Sequence, residues 1–111
     1  MTDRTMPPVG PEMDALVAEA LGYSDRKVAA GVPPFSGHSA AAMRALEAWR
    51  KQHPGKYRFG IDLPAYAGNL YIVTGMAVRQ PQQDFRIEAR TLEAAICQAI
   101  IRAQWALEDG G

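Results

Sequence analysis

Apolar residues recur at steps of three and four along the end of the chain: Leu92, Ala95, Ile96, Ala99, Ile100, Ala103 and Leu107. That spacing puts one broad apolar face on an α-helix. Thr91 stands where an N-cap belongs, Glu93 places negative charge in the first turn, and Gly110 and Gly111 follow the last periodic residue. A second, narrower apolar line, Ala94, Cys97, Ile101 and Trp105, runs along the same segment. One apolar face suffices to dock a helix on a sheet, and a second needs a second partner. Cys97, Ile101 and Trp105 are therefore expected at a homo-oligomer interface, with the first helix of the same chain as the other way to cover them.

Upstream, residues 1–10 read as a flexible arm and 11–111 as a single domain. Pro11 opens a helix with Met13, Leu16, Val17, Ala20 and Leu21 as its stripe and Gly22 as its stop. The polar run Ser24–Lys27 reads as a loop. The prolines of Gly31–Gly37 keep that stretch out of a helix. Ser36 or Ser39 is expected to cap the next helix, from Ser39 to about His53, with Ala42, Met43, Leu46 and Trp49 buried. Three alternating stretches then predict strands. Tyr57, Phe59, Ile61 and Leu63 share one face of the first. Leu70, Ile72, Thr74, Met76 and Val78 share the greasier face of the second, with Tyr71, Val73, Gly75, Ala77 and Arg79 opposite. Phe85, Ile87 and Ala89 line the third. Short turns at Pro64–Asn69 and Gln80–Gln83 imply an antiparallel meander. The expected fold is α+β, in the order α-α-β-β-β-α, with helices packing the three-stranded sheet as a two- or three-layer sandwich.

Twelve basic and twelve acidic side chains cancel. A neutral chain argues against nonspecific nucleic-acid binding and removes a barrier to self-association. Cys97 is the only cysteine, so no intrachain disulfide forms; within a helix pattern it reads as a small hydrophobe rather than a nucleophile. Neither a signal peptide nor a membrane span is expected, and a reducing cytosol is the expected setting. His38 and His53 are too far apart, with one cysteine, to make a zinc pattern, and no nucleophile elbow or phosphate loop occurs. The chain is expected to be neither an enzyme nor the holder of a metal or cofactor.

Three features invite an anion. The expected second face of the sheet gathers Arg58, Tyr71, Arg79, Arg86 and Arg90, with Asp62 and Glu88 between them; guanidinium forks beside an aromatic platform suit a phosphate and a base. Backbone N–H groups near Ser36 and His38, before a helix, could hold a phosphate, although capping alone explains serine there. The run Arg50–Arg58 is basic, and its cations also suit a helix C-terminus. Tyr71, Arg79, Arg86, Ser36 and His38 are the candidate ligand-binding residues, for a small anionic ligand such as a nucleotide. The other readings are a protein–protein inhibitor or adaptor using the same surfaces and, from the order α-β-β-β-α, a double-stranded RNA-binding module. The start of the last helix, Ala89-Arg-Thr-Leu-Glu93, lacks the lysines that such a module places there.

Met13-Asp-Ala-Leu-Val-Ala-Glu-Ala-Leu-Gly-Tyr23, Pro33-Pro-Phe-Ser36, Ala40-Ala-Ala-Met-Arg-Ala45 and Thr91-Leu-Glu-Ala-Ala-Ile-Cys97 together resemble the phage ABA sandwich domain family. The resemblance spans about Glu12 to Leu107. Where His38 stands, an acidic residue is more usual in that family. The resemblance implies a phage or prophage origin, a compact sandwich and the host cytosol. It brings no catalytic residues. Small phage proteins without enzymatic motifs often counter host defences, in some cases by sequestering nucleotide signals, and that is the functional expectation attached to it.

Overall fold

A computed structural model describes residues 5–66 and 68–110. The fold is α+β, with helices α1 (Pro11–Ala20), α2 (Asp25–Ala30), α3 (Ser39–Gln52) and α4 (Leu92–Gly110) and strands β1 (Tyr57–Asp62), β2 (Tyr71–Ala77) and β3 (Phe85–Ala89). Single 3-10 turns form at Phe35–Gly37 and Pro81–Gln83. The strands make an open antiparallel meander in the order β1-β2-β3.

Local chemistry sets the helix ends. After α1, Gly22 takes φ 78°, and the N–H groups of Gly22 and Tyr23 donate to Glu19 and Ala18 (both 3.0 Å), a Schellman closure that a side chain at Gly22 would strain. Helix α2 falls where a loop is expected. Ser24 caps it by accepting from the Lys27 N–H (3.2 Å), and Gly31 ends it; six residues with none buried carry no apolar stripe to betray it. Helix α3 is capped by His38, whose Nδ1 accepts from the Ala41 N–H, rather than by Ser36 or Ser39. Thr91 caps α4 as expected, accepting from the Ala94 N–H at 3.2 Å. Of the expected arm, residues 1–4 lie outside the described residues. Met6 packs on the core and the Gly10 N–H donates to Ser36 Oγ, so the arm's second half is attached to the domain.

Helix α4 is the central element, packed by α1, α3, β2, β3 and the Phe35–Gly37 turn. Its second apolar line is used inside the chain. Ile101 and Trp105 border Leu16 and Ala20 of α1, and Asp14 of α1 lies close enough to Cys97 to raise its thiol. Cys97 and Ile101 are 0% and 1% exposed and Trp105 is half-buried, so the oligomer interface expected at these three residues is corrected to an α1–α4 interface. A helix tethered to the same chain is present at high effective concentration and takes the site before a second copy can. The broad face is left to the sheet and α3.

The face of β2 is the second correction. Pairing sets Ala77 beside Tyr57, Gly75 beside Phe59 and Phe85, Val73 beside Ile61 and Ile87, and Tyr71 beside Ala89. Tyr71, Val73, Gly75 and Ala77 thus face α4, while Ile72, Thr74 and Met76 face away, with Met76 51% exposed. Both faces of β2 are apolar, so hydropathy does not choose between them. Volume does: small Gly75 and Ala77 leave room for the rings of Tyr57, Phe59 and Phe85, which cluster at centroid distances of 5.5–6.4 Å. A Cβ on Gly75 would run into the Phe85 ring. Gly75→Ala is expected to cost about 1–3 kcal/mol by overpacking, read as a lowered melting temperature; a variant as stable as the parent would mean that the ring steps aside.

Candidate functional site

The register that reverses β2 also disperses the expected site. Tyr71 lies on the α4 side of the sheet and Arg86 on the far side, where it pairs with Glu88 at 3.2 Å. Asp62 and Glu88 share that far face, separated by Ile72, and with Ile72 and Leu70 they border an open depression there. Ser36 is 2% exposed and serves the fold. Its N–H donates to Asp14 Oδ1 at 2.7 Å, and its Oγ accepts from the Gly10 N–H at 3.1 Å. The carboxylate of Asp14 therefore already occupies the position where a phosphate was expected. His38 is an exposed cap. Tyr71, Arg86, Ser36 and His38 do not converge on one another or on Arg79.

Arg79 does line a cleft. At one end of the sheet, the N–H of Val78 donates to the Lys56 carbonyl (3.1 Å), carrying the β1–β2 pairing one step past Tyr57 and Ala77. Lys56, just before β1, and Arg79, just after β2, are thereby brought to the same end. Gly55, at φ 74°, turns the chain there. The resulting cleft, of about 440 Å³, is lined by Lys56, Tyr57, Arg79, Gln80, Gln83 and Leu107 among others, and no carboxylate is among its lining residues.

Its walls are braced. The Tyr57 hydroxyl donates to the Gln83 carbonyl at 2.9 Å, and the Gln83 amide donates to the Ala106 carbonyl of α4 at 3.2 Å. Burial raises the Tyr57 phenol above its ordinary value, and Asp84 raises it further against the opposing pull of Arg102, so the hydroxyl stays a donor. Asp84 is engaged, accepting from the Ala77 N–H at 2.7 Å. A neighbouring depression shares Pro54, Gly55 and Tyr57 and adds Arg50, Lys51, His53 and Glu47. Burial and nearby Lys56 lower the pKa of His53, which therefore adds no charge near neutral pH. Lys56 belongs to the basic run visible in the sequence; that Arg79 would meet it follows only from the register.

Burial, with Asp14 and Glu93 nearby, pushes the Cys97 thiol up to about 12, so it stays protonated. No group of three metal-ligating side chains comes together, and no helix is long and apolar enough to cross a membrane, among the described residues. The order α3-β1-β2-β3-α4 is present, but the first turn of α4 carries Glu93 in place of a basic cluster. The cleft and the fold together describe an α+β domain with a small cleft bordered by Lys56 and Arg79 at one end of its sheet. No family model, curated protein or solved structure matches the chain.

Proposed function

We propose that the protein is a non-enzymatic binding protein that captures a small anionic ligand, such as a nucleotide, in the Lys56–Arg79 cleft. One observation carries the reading: two cations, one flanking β1 and one flanking β2, line a single concave site whose lining includes amide donors and no acid. The guanidinium fork of Arg79 suits a phosphate, Lys56 adds a mobile point charge, and Gln80 and Gln83 offer groups for a sugar or base edge. The volume lies within the small-ligand range. A phage origin, a counter-defence role and a host-cytosol setting belong to the same proposal and rest on the resemblance at residues 13–23, 33–36, 40–45 and 91–97.

Calorimetry with pyrophosphate and with nucleoside mono- and triphosphates tests it. Wild-type protein should bind at least one of them, more weakly as salt rises. The double variant Lys56→Ala, Arg79→Ala should lose roughly tenfold or more in affinity. Its melting temperature should barely move, because both side chains are exposed. Arg86→Ala should leave binding intact. A wild type silent toward every anion, or a double variant that binds normally, ends the proposal.

A second reading, an inhibitor or adaptor of a host protein, is favoured by the far face of the sheet. There Met76 and Val78 are each 51% exposed and Leu70 39% exposed, in line with half-buried Ile72. Silence in the calorimetry would leave this reading standing.

A further inference from the structure

A groove of about 510 Å³ lies between α3 and the connection from α1 to α2, and it shares no lining residue with the Lys56–Arg79 cleft. On one side it is lined by Ala41, Ala45 and Ala48 of α3, whose short side chains leave room for it. Its walls are Leu21, Tyr23, Pro33 and Phe35, with the Tyr23 and Phe35 rings edge to face at 6.3 Å. The Gln52 amide closes one end by donating to the Leu21 carbonyl at 3.0 Å.

The charged residues lining this groove are Lys27 and Arg44, and both are cations. Lys27 Nζ is held 4.2 Å from the centre of the Tyr23 ring. Arg44 Nε donates to the Ala40 carbonyl at 3.4 Å, which lays the guanidinium along the helix at the groove. Both side chains are exposed, so their charges remain available to a ligand. An apolar trough with cations at its rim is complementary to a molecule that is apolar along its body and negative at one end. A bare phosphate would leave the trough unfilled, and a neutral hydrocarbon would leave the cations unanswered.

We infer that this groove is a second binding site, for an amphipathic organic anion: an aromatic or aliphatic body seated on Ala41, Ala45 and Ala48, with one carboxylate or sulfonate between Lys27 and Arg44. Its volume accommodates a single small molecule rather than a protein partner. The site stands independently of the nucleotide reading.

Two dyes test it on the full chain. Anilinonaphthalene sulfonate has the required shape and charge, and phenylnaphthylamine is the same ring system without the sulfonate. Wild-type protein should bind the sulfonate dye one to one, with enhanced and blue-shifted emission, and more tightly than the neutral dye. The double variant Lys27→Glu, Arg44→Glu should lose roughly tenfold in affinity for the sulfonate dye and keep its affinity for the neutral one. Ala48→Leu, at a half-buried lining position, should weaken both. Lys56→Ala, Arg79→Ala should change neither, which separates this site from the cleft. Melting curves on each variant exclude binding to a loosened fold. The inference is overturned if folded wild type does not bind the sulfonate dye, or if charge reversal leaves its affinity unchanged. Should Ala48→Leu not fold, the charge-reversal pair decides alone.

Discussion

Trp49→Ala should destabilise the domain by about 3–5 kcal/mol, against a total of about 5–15 kcal/mol for a domain. Trp49 is 0% exposed and ties three elements together. Its ring packs on Phe59 at 5.8 Å, on Tyr57 at 6.2 Å and on His53 at 4.5 Å. Its indole N–H donates to Gln104 Oε1 of α4 at 3.0 Å. Truncation opens a cavity where α3, α4 and β1 meet, and it leaves the Gln104 carbonyl without that donor in a half-buried place. Trp49→Phe keeps most of the volume and loses the donor, so it should cost less than half as much. The drop for the alanine variant corresponds to roughly 15–25 °C in melting temperature. A loss below about 1 kcal/mol would mean that this cluster does not hold α3 to the sheet.

The second large effect concerns the narrow apolar line of α4. Ile101→Asp should leave no cooperative unfolding transition at 25 °C. The site is 1% exposed, on a helix packed by α1, and borders one small pocket together with Leu16 and Ala20 of α1. A carboxylate there either stays charged without a partner or takes up a proton, and each costs several kcal/mol. Ile101→Val, which removes one methylene, should cost only about 0.5–1.5 kcal/mol. The pair distinguishes the two uses of this line. At a surface between copies, the aspartate variant would be a folded monomer with a sharp melt, and that result would overturn the α1–α4 assignment. Circular dichroism together with light scattering reads both outcomes.

Much of the architecture is legible from local chemistry. Pro11 and Gly22 bracket α1, Thr91 opens α4, and two breaker-rich turns separate three alternating stretches. These signals act within a few residues, where sterics and capping bonds leave few choices. Helix α2 escapes such reading because Val28 is its one large apolar side chain and remains 41% exposed. The candidate site is far less legible. Arg79 is recognisable as a candidate, yet its companion is Lys56 rather than Tyr71 or Arg86, and the groove beneath Tyr23 draws Lys27 and Arg44 from different helices.

The amino-acid order by itself determined the kind and succession of every element but α2, and the surplus of apolar surface on α4, because helix caps, glycine turns and hydrophobic period are properties of neighbouring residues. Tertiary structure alone decided that α1 covers Cys97 and Ile101, that β2 turns Tyr71 inward and Met76 outward, and which cations share a cleft. Those outcomes depend on strand register and on the fit of Phe85 over Gly75. Both are contests between distant segments, in which two nearly equal local hydropathies are separated only by volume.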